Sequence, residues 1–410
     1  MTGDDARPLR PRAVHAAIGA AIVAVTFLYL FAHPSFPNDH FDHLAKARQV
    51  VHGEYPVRDF LDPGRPLTIG LSAVALRLSA DTLLGEAVLT AGAIAFGVAL
   101  VYWLAFALVR STTFALWAAA CTLAIEPRLY NYPKVVVPMV GVWLVFHYLD
   151  RPGPGRAAAV GAWGAAGFLF RYDLGVYLAV FAASGLLLAR DLRDPRALAR
   201  DAAACGSAAL ALAAPYLWFL LDAGALAGSG AEGGAALAGA AGITWRAFRF
   251  GPDAASAASW LRHDAETWIY DLFLVAPVVA AGLVASTRRR ATVEGRRAAA
   301  LATLCFTLVL FLIRGNLDSR LPDVAAPSFV LAAWLLAVLA GPWRAWRASR
   351  GRTAAAGAAA VLALVTWASV SALADWSPAR RLASTIVRLP GSVTDSARRL
   401  RADPLATWEM

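Results

Sequence analysis

The run AVHAAIGAAIVAVTFLYLF, residues Ala13–Phe31, is followed by NDHFDHLAKARQVVHGEYPVRDFLDPGR, residues Asn38–Arg65. The first stretch contains no Asp, Glu, Lys or Arg and is long enough to cross a bilayer as a helix. The second stretch is dense in acidic, basic and histidine side chains. An apolar helix followed by a charged loop is the repeating pattern of a polytopic membrane protein, and the rest of the chain repeats it.

Composition supports this fold class. Of 410 residues, 59% are hydrophobic and only 16% are charged, whereas soluble proteins usually have about 25% charged residues. Apolar blocks of about 14 to 24 residues alternate with short charged joints. We therefore predict an all-α, polytopic transmembrane helical bundle. Residues 1–374 would form the membrane module, with an outer loop at residues 33–65, and residues 375–410 would form a short outer tail.

The net charge of +10 is concentrated in short joints, at residues 7–12, 151–156, 190–200, 288–297 and 344–352. Arginine-rich joints between apolar blocks are typical of cytoplasmic loops. This distribution argues against nucleic-acid binding, which would need a basic face outside the membrane. We expect a protein of the cytoplasmic (inner) membrane with a retained first helix, a cytoplasmic N-terminus and the loop Asn38–Arg65 on the outer face.

The same charges constrain the number of crossings. Between Arg65, expected outside, and Arg151, expected inside, the chain must cross an odd number of times, but four apolar pieces lie there. Pro66–Leu78 is short and contains Arg77, so we predict that this piece does not cross. The whole chain would then have about eleven spans, with thirteen as the alternative.

The outer loop is predicted to begin with a surface helix. Asn38 is a plausible N-cap, Gly53 is a natural stop, and Phe41, Leu44 and Val51 share one side at helical spacing. Asp42, Lys46 and Gln49 lie on the other side, and Asp39 and His43 form an i,i+4 pair. The pattern predicts an amphipathic helix along the membrane surface.

Three further polar clusters are expected at the same face, around Arg128–Lys134, Arg171–Asp173 and Arg314–Arg320. Charges near the hydrocarbon are costly, so they usually pair with each other or serve a site. Local pairing, helix capping and interfacial anchoring remain open as alternatives, and the charges of the first loop could simply form a solvated face. Asp39, His40 and His43 could also bind a divalent metal by residue type, but their spacing is not diagnostic and we expect no cofactor.

These residues resemble the GT-C glycosyltransferases, polytopic enzymes that use polyprenyl-phosphate-linked sugars and include protein O-mannosyltransferases and aminoarabinose transferases. The likeness lies in Asn38-Asp39-His40, Ala45–Val51, Gly53, Pro56, Arg58-Asp59-Phe60 and Pro63–Leu67, and it extends to Gly167–Asp173 and Arg314–Pro322. Many members have Asp-Glu where this chain has Asp39-His40. Members often carry a soluble outer domain, whereas only a short segment follows the last predicted span here.

The resemblance implies a membrane glycosyltransferase that moves a hexosyl or pentosyl group from a lipid phosphate to an unknown glycan, lipid or protein acceptor. It implies Asp39 as the base, with Asp42 as a second candidate carboxylate. Expected substrate-binding residues are His40, His43, Arg58, Asp59, Arg65, Lys134, Arg171, Asp173, Arg314, Asp318 and Arg320. The alternative is a transporter or flippase of a lipid-linked or small substrate, and a non-catalytic scaffold is a third class.

Overall fold

The computed structural model describes residues 13–60, 64–125, 127–190, 194–222, 265–286, 292–312, 321–348 and 391–401. The named elements in these ranges are helices, so the predicted all-α class is confirmed for the described part of the chain. In chain order they are α1 Ala13–Ala32, α2 Asn38–Val51, α3 Pro66–Leu78, α4 Leu83–Val109, α5 Thr112–Ala124, a 3-10 turn Leu129–Asn131, α6 Tyr132–Asp150, α7 Pro154–Phe170, α8 Tyr172–Ala189, α9 Pro195–Asp222, α10 Ala265–Ser286, α11 Val293–Leu312 and α12 Pro322–Ala348.

Six of the described helical stretches are long and apolar enough to cross a membrane: Ala13–Ala32, Leu83–Val109, Leu129–Asp150, Tyr172–Ala189, Pro195–Asp222 and Pro322–Ala340. Three shorter apolar helices accompany them: Pro66–Leu78, Thr112–Ala124 and Leu272–Ser286. These apolar helices indicate a membrane-embedded protein. The predicted span at residues 353–374 lies outside the described residues, so the count of eleven stays a prediction.

The chain divides into two compact units. The first contains residues 1–100, 127–237 and 385–410, and the second contains residues 101–126 and 238–384. In the second unit Trp334 donates from Nε1 to Glu294 Oε1 at 2.8 Å, and Phe329 packs edge-on against Trp117 and Phe273. All the predicted site residues that the structure describes belong to the first unit.

In the first unit α6, α7, α8 and α9 run back and forth between two ends. At one end Tyr172, which begins α8, shares a hydrogen bond with Tyr216 near the end of α9, with 2.8 Å between the hydroxyls. At the other end the Tyr148 hydroxyl and Arg190 both bond to the buried Asp201 carboxylate, at 2.6–2.9 Å. Of the arginine-rich joints, residues 151–156, Arg190 and residues 194–200 therefore lie at the end opposite to Tyr172.

The short helix α3 stays at the Tyr172 end. Ile69, Ala73 and Leu76 of α3 share one buried hydrophobic cluster with Leu44 of α2, and the cluster also contains Phe31, Ala47, Leu83, Ala87 and Leu400. The end of α1, the buried side of α2 and the start of α4 all contribute to this cluster. Since the chain is at the same end before and after α3, this helix does not carry it to the opposite end. Its 13 residues would span only about 20 Å. Pro66–Leu78 thus has the placement expected of the piece that does not cross.

A helical segment at residues 391–401 also reaches this cluster. Ser396 Oγ donates to the carbonyl of Ala32 at 2.8 Å, and Leu400 is 5% exposed within the cluster. The segment and the outer loop therefore meet at the same end of α1.

Candidate functional site

The end of the outer loop is fixed against the joint between α7 and α8. The backbone N–H of Tyr172 donates to the carbonyl of Gly64 at 3.1 Å, and Thr68 Oγ1 donates to the carbonyl of Phe170 at 2.7 Å. Gly64 has φ +85°, and a Cβ atom there would lie 2.5 Å from the Tyr172 ring. Only glycine can adopt this left-handed backbone conformation readily and also leave room for the Tyr172 ring. This contact brings the loop to the predicted cluster at Arg171.

Arg65 follows Gly64 and therefore lies among the charges of the α7–α8 joint. Arg171 holds Asp173 through two parallel bonds, Nε to Oδ1 at 2.9 Å and Nη2 to Oδ2 at 2.7 Å. Burial, followed by the positive charge of Arg171, lowers the pKa of Arg65, whereas Asp173 and Asp39 oppose that shift. Lys134 lies close enough for its charge to act on Asp173. Charges from four separate segments of the chain thus lie close together: Asp39 on α2, Arg65 before α3, Lys134 on α6 and the Arg171–Asp173 pair at the α7–α8 joint.

Asp39 is the carboxylate that faces this group from the first turn of α2. It is exposed, and its Oδ2 accepts a hydrogen bond from the Tyr130 hydroxyl at 3.1 Å. Arg128 Nη1 in turn donates to the Tyr130 hydroxyl at 3.2 Å. The described residues give Oδ1 no hydrogen bond. We call Asp39, Arg65, Tyr130, Lys134, Arg171 and Asp173 the polar cluster.

His40 lies beneath the polar cluster and has a partner that the sequence analysis missed. Its Nε2 donates to Oε1 of Glu86 at 2.9 Å, and both side chains are fully buried. The His40 ring also packs on Tyr130, with 5.7 Å between centroids. Glu86 is the one acidic residue within the apolar helix α4. A charge inside an apolar helix is a recognised signal of a functional site, and that signal was present in the sequence.

His43 occupies the next turn of the buried side of α2. Its Nε2 shares a hydrogen bond with Ser72 Oγ of α3 at 2.9 Å, and the residue is 4% exposed. Burial lowers the pKa of His43 from 6.5 to about 4, against the smaller opposing influence of Glu86. His43 is therefore neutral at physiological pH and joins α2 to α3.

Two details of the predicted surface helix need correction. Pro37 occupies the N-cap position, so Asn38 is the first helical residue. Asp39 and His43 do not pair, because the first bonds to Tyr130 and the second to Ser72. The helix itself and its stop at Gly53, which has φ +91°, are confirmed.

Other predicted residues lie away from the polar cluster or outside the described chain. Asp42 is exposed and accepts from Lys46 at 2.6 Å. Arg58 binds Asp59 locally at 2.7 Å and lies over the Tyr55 ring; this pairing holds the pKa of Asp59 below its usual range. Arg314, Asp318 and Arg320 lie outside the described residues. Nothing in the structure assigns these residues a part in the polar cluster.

Comparison of the chain with known protein families, curated proteins and solved structures found no match. The polar cluster combines the exposed Asp39 carboxylate with three cationic side chains, and the Asp173 carboxylate binds one of these, Arg171. Such an arrangement can accept a proton at Asp39 and bind an anionic group at Arg65 and Lys134.

Proposed function

We propose that this protein is a membrane glycosyltransferase of the GT-C type. It would transfer a hexosyl or pentosyl group from a polyprenyl-phosphate carrier to the hydroxyl or amine of an acceptor. The observation that carries the proposal is the meeting of Asp39 with Arg65, Lys134 and Arg171 at one end of the first unit. A base and a set of cations for a lipid-phosphate leaving group are the two requirements of this reaction.

In the proposed reaction the acceptor oxygen attacks the anomeric carbon, and the bond from that carbon to the phosphate oxygen breaks. The electron pair of that bond leaves with the polyprenyl phosphate, and the acceptor's proton passes to Asp39. A positioned base is worth typically 10²–10⁴-fold in rate. Tyr130 binds Oδ2 of Asp39, which leaves Oδ1 as the oxygen that takes the proton.

The cations would stabilise the negative charge that develops on the leaving phosphate. Arg65 is half-buried at the N-cap of α3, and Lys134 lies in the first turn of α6, so both stand at the start of a helix. Arg171 has a fixed orientation because Asp173 binds it through two bonds. The apolar surface of α9, where Trp218 is 74% exposed, would accommodate the polyprenyl chain.

The proposal assigns the base to Asp39 and gives Asp42 no catalytic part. Asp42 lies on the exposed side of α2 in an ion pair with Lys46, away from the cations. We place the site on the outer face of the cytoplasmic membrane, since the described arginines of the joints at residues 151–156, 190 and 194–200 lie at the opposite end of the same unit. No cofactor is assigned.

The two aspartates provide a matched test. Purified protein in nanodiscs would be supplied with undecaprenyl-phosphate-linked hexoses and pentoses and a membrane extract as the source of acceptor. Released undecaprenyl phosphate measures turnover. Asp39→Asn is expected to lower kcat by at least about 100-fold, whereas Asp42→Asn should retain the wild-type rate. An Asp39→Asn protein that turns over normally excludes Asp39 as the base. Binding of undecaprenyl phosphate without turnover by the wild type favours a transporter or flippase.

A further inference from the structure

The first turn of α2 is held from two directions, and one of the supports comes from the first turn of the apolar helix α4. Tyr130 binds the Asp39 carboxylate from the 3-10 turn, while Glu86 of α4 binds the His40 imidazole. His40 is the residue directly after Asp39, so the position of the imidazole fixes the backbone that carries the carboxylate. Phe36 packs on the other side of the His40 ring, with 4.7 Å between centroids.

A hydrophobic side chain would be the ordinary occupant of a fully buried position. Burying a carboxylate is costly unless it is paired, and removal of one partner leaves the other buried without compensation. The pair is also not fully satisfied, because His40 Nδ1, Glu86 Oε2 and the nearby Tyr132 hydroxyl have no hydrogen-bond partner within the described ranges. An apolar pair would fill the same space at lower cost, so the hydrogen bond must serve a purpose that packing alone does not.

We infer that Glu86 is a positioning residue that acts through His40 to hold the Asp39 carboxylate in its reactive place. This inference rests on the proposed function, in which Asp39 is the base. A hydrogen bond fixes direction as well as distance, whereas an apolar contact would let the ring rotate and the first turn shift. Glu86 touches neither donor nor acceptor in this arrangement, because it lies fully buried behind His40.

The base and the donor-binding residues lie on different elements, so a shift of α2 should change kcat and KM differently. The donor phosphate is assigned to Arg65, Lys134 and Arg171, which lie outside α2. Loosening the first turn should therefore lower kcat and leave the KM for the donor nearly unchanged. Misplacement of a catalytic group by about 1 Å can cost about 100-fold in rate. Glu86→Ala is expected to lower kcat by about 10- to 100-fold, and Glu86→Gln, which keeps an acceptor oxygen for His40, should restore most of the rate.

A second measurement does not depend on turnover. The backbone N–H groups of His40 and Phe41 bond to the carbonyl of Pro37 at 2.8 and 3.3 Å, so their hydrogen exchange reports on the first turn. Exchange in residues 36–44 should become faster in Glu86→Ala and stay near wild type in Glu86→Gln. Thr90→Val is the control for α4 itself, since Thr90 is buried one turn further along and donates to the backbone carbonyl of Glu86, so this variant disturbs the same turn of α4 but leaves the Glu86 carboxylate in place.

The outcomes separate this inference from the proposed function. Wild-type kcat and exchange in Glu86→Ala overturn the positioning role, even if Asp39→Asn abolishes turnover. Equal losses of kcat in Glu86→Ala and Glu86→Gln, with unchanged hydrogen exchange in residues 36–44, also overturn it. In that case the reaction would require the negative charge of Glu86 and not the position that it gives to Asp39. Faster exchange in Glu86→Ala together with normal turnover by Asp39→Asn supports the contact but removes the proposed base. Thr90→Val with the same losses as Glu86→Ala shows a general loosening of α4 and overturns the inference.

Discussion

Asp39 and Asp42 lie three residues apart on one helix and have different surroundings. Tyr130 and the charge of Arg65 act on Asp39, whereas Asp42 is 66% exposed and paired with Lys46. The sequence pattern made both aspartates candidates because it specifies only the spacing on α2. The two aspartates differ in their tertiary contacts with residues of other elements. Helical spacing within α2 does not predict those contacts.

His43 leads to a prediction about pH. Its pKa is lowered to about 4 in the folded protein, so below pH 6.5 the unfolded chain binds the proton more readily than the folded one. Folding stability should therefore be unaffected by this group above pH 6.5 and should fall as the pH drops toward 4. The loss reaches about 2 kcal/mol at pH 5. The melting temperature of purified protein, measured from pH 7.5 to 4, checks this.

The variant His43→Gln isolates the contribution of that group, because glutamine can bond to Ser72 and does not titrate. Its melting temperature should decline less between pH 6.5 and 4 than that of the wild type. His52→Gln serves as the control, since His52 is exposed at the end of the same helix, and it should follow the wild-type curve. Parallel curves for all three proteins would show that His43 is not the group that titrates.

At the scale of elements, the pairing of α2 with α3 decides where the loop returns. The sequence predicted α2 from its helical spacing, and it predicted that α3 does not cross from its short length and from the parity of crossings. Both predictions use properties that can be read along the chain without knowledge of tertiary contacts. Sequence reasoning could not find the docking of Gly64 on Tyr172, since the partners belong to segments far apart in the chain. The acidic residue at the start of α4 was visible in the sequence, but its pairing with His40, 46 residues away, was not.

Gly64 allows this docking to be tested. An alanine there would have to adopt φ +85° and would meet the Tyr172 ring at 2.5 Å, with costs of about 1–2 kcal/mol for the backbone and about 1–3 kcal/mol for the packing. The loop should move away and take Arg65 from the polar cluster. We expect Gly64→Ala to weaken binding of undecaprenyl phosphate, measured by native mass spectrometry, by about 10-fold.

Gly53 provides a matched control. It has φ +91°, but nothing lies within 4 Å of a Cβ atom at that position. Gly53→Ala therefore carries the backbone cost alone, and phosphate binding should remain near wild type. Equal affinities for Gly64→Ala and the wild type would mean that Arg65 does not depend on this docking or does not bind the phosphate.

At the scale of the whole molecule, the all-α class followed from composition because lipid requires that backbone groups bond within each helix or in a closed barrel. The positive-inside rule predicted that the polar clusters would group at one end, opposite to the arginine-rich joints. The structure brings three of the four predicted clusters to that end: the loop, Arg128–Lys134 and Arg171–Asp173. The fourth, Arg314–Arg320, lies outside the described residues, so its place in the site stays a prediction.

The orientation in the membrane can be tested with single cysteines on a background in which Cys121, Cys205 and Cys305 are replaced by alanine. Asp42→Cys marks the polar-cluster end and Arg151→Cys marks the opposite end, and both positions are exposed. A maleimide that cannot cross membranes should label Asp42→Cys in intact spheroplasts. It should label Arg151→Cys only after permeabilisation. The reverse pattern would place the polar cluster in the cytoplasm.

The contact between residues 391–401 and the first helix has a consequence for biosynthesis. Ser396 bonds to Ala32, which the ribosome makes 364 residues earlier. At about 5–20 residues per second, the interval is about 20–70 s. During that time Phe31 and Leu44 lack the cover that Leu400 provides in the finished protein. The helix that carries Asp39 therefore reaches its final packing only after residues 391–401 have been made, and this surface of the nascent chain stays accessible until then.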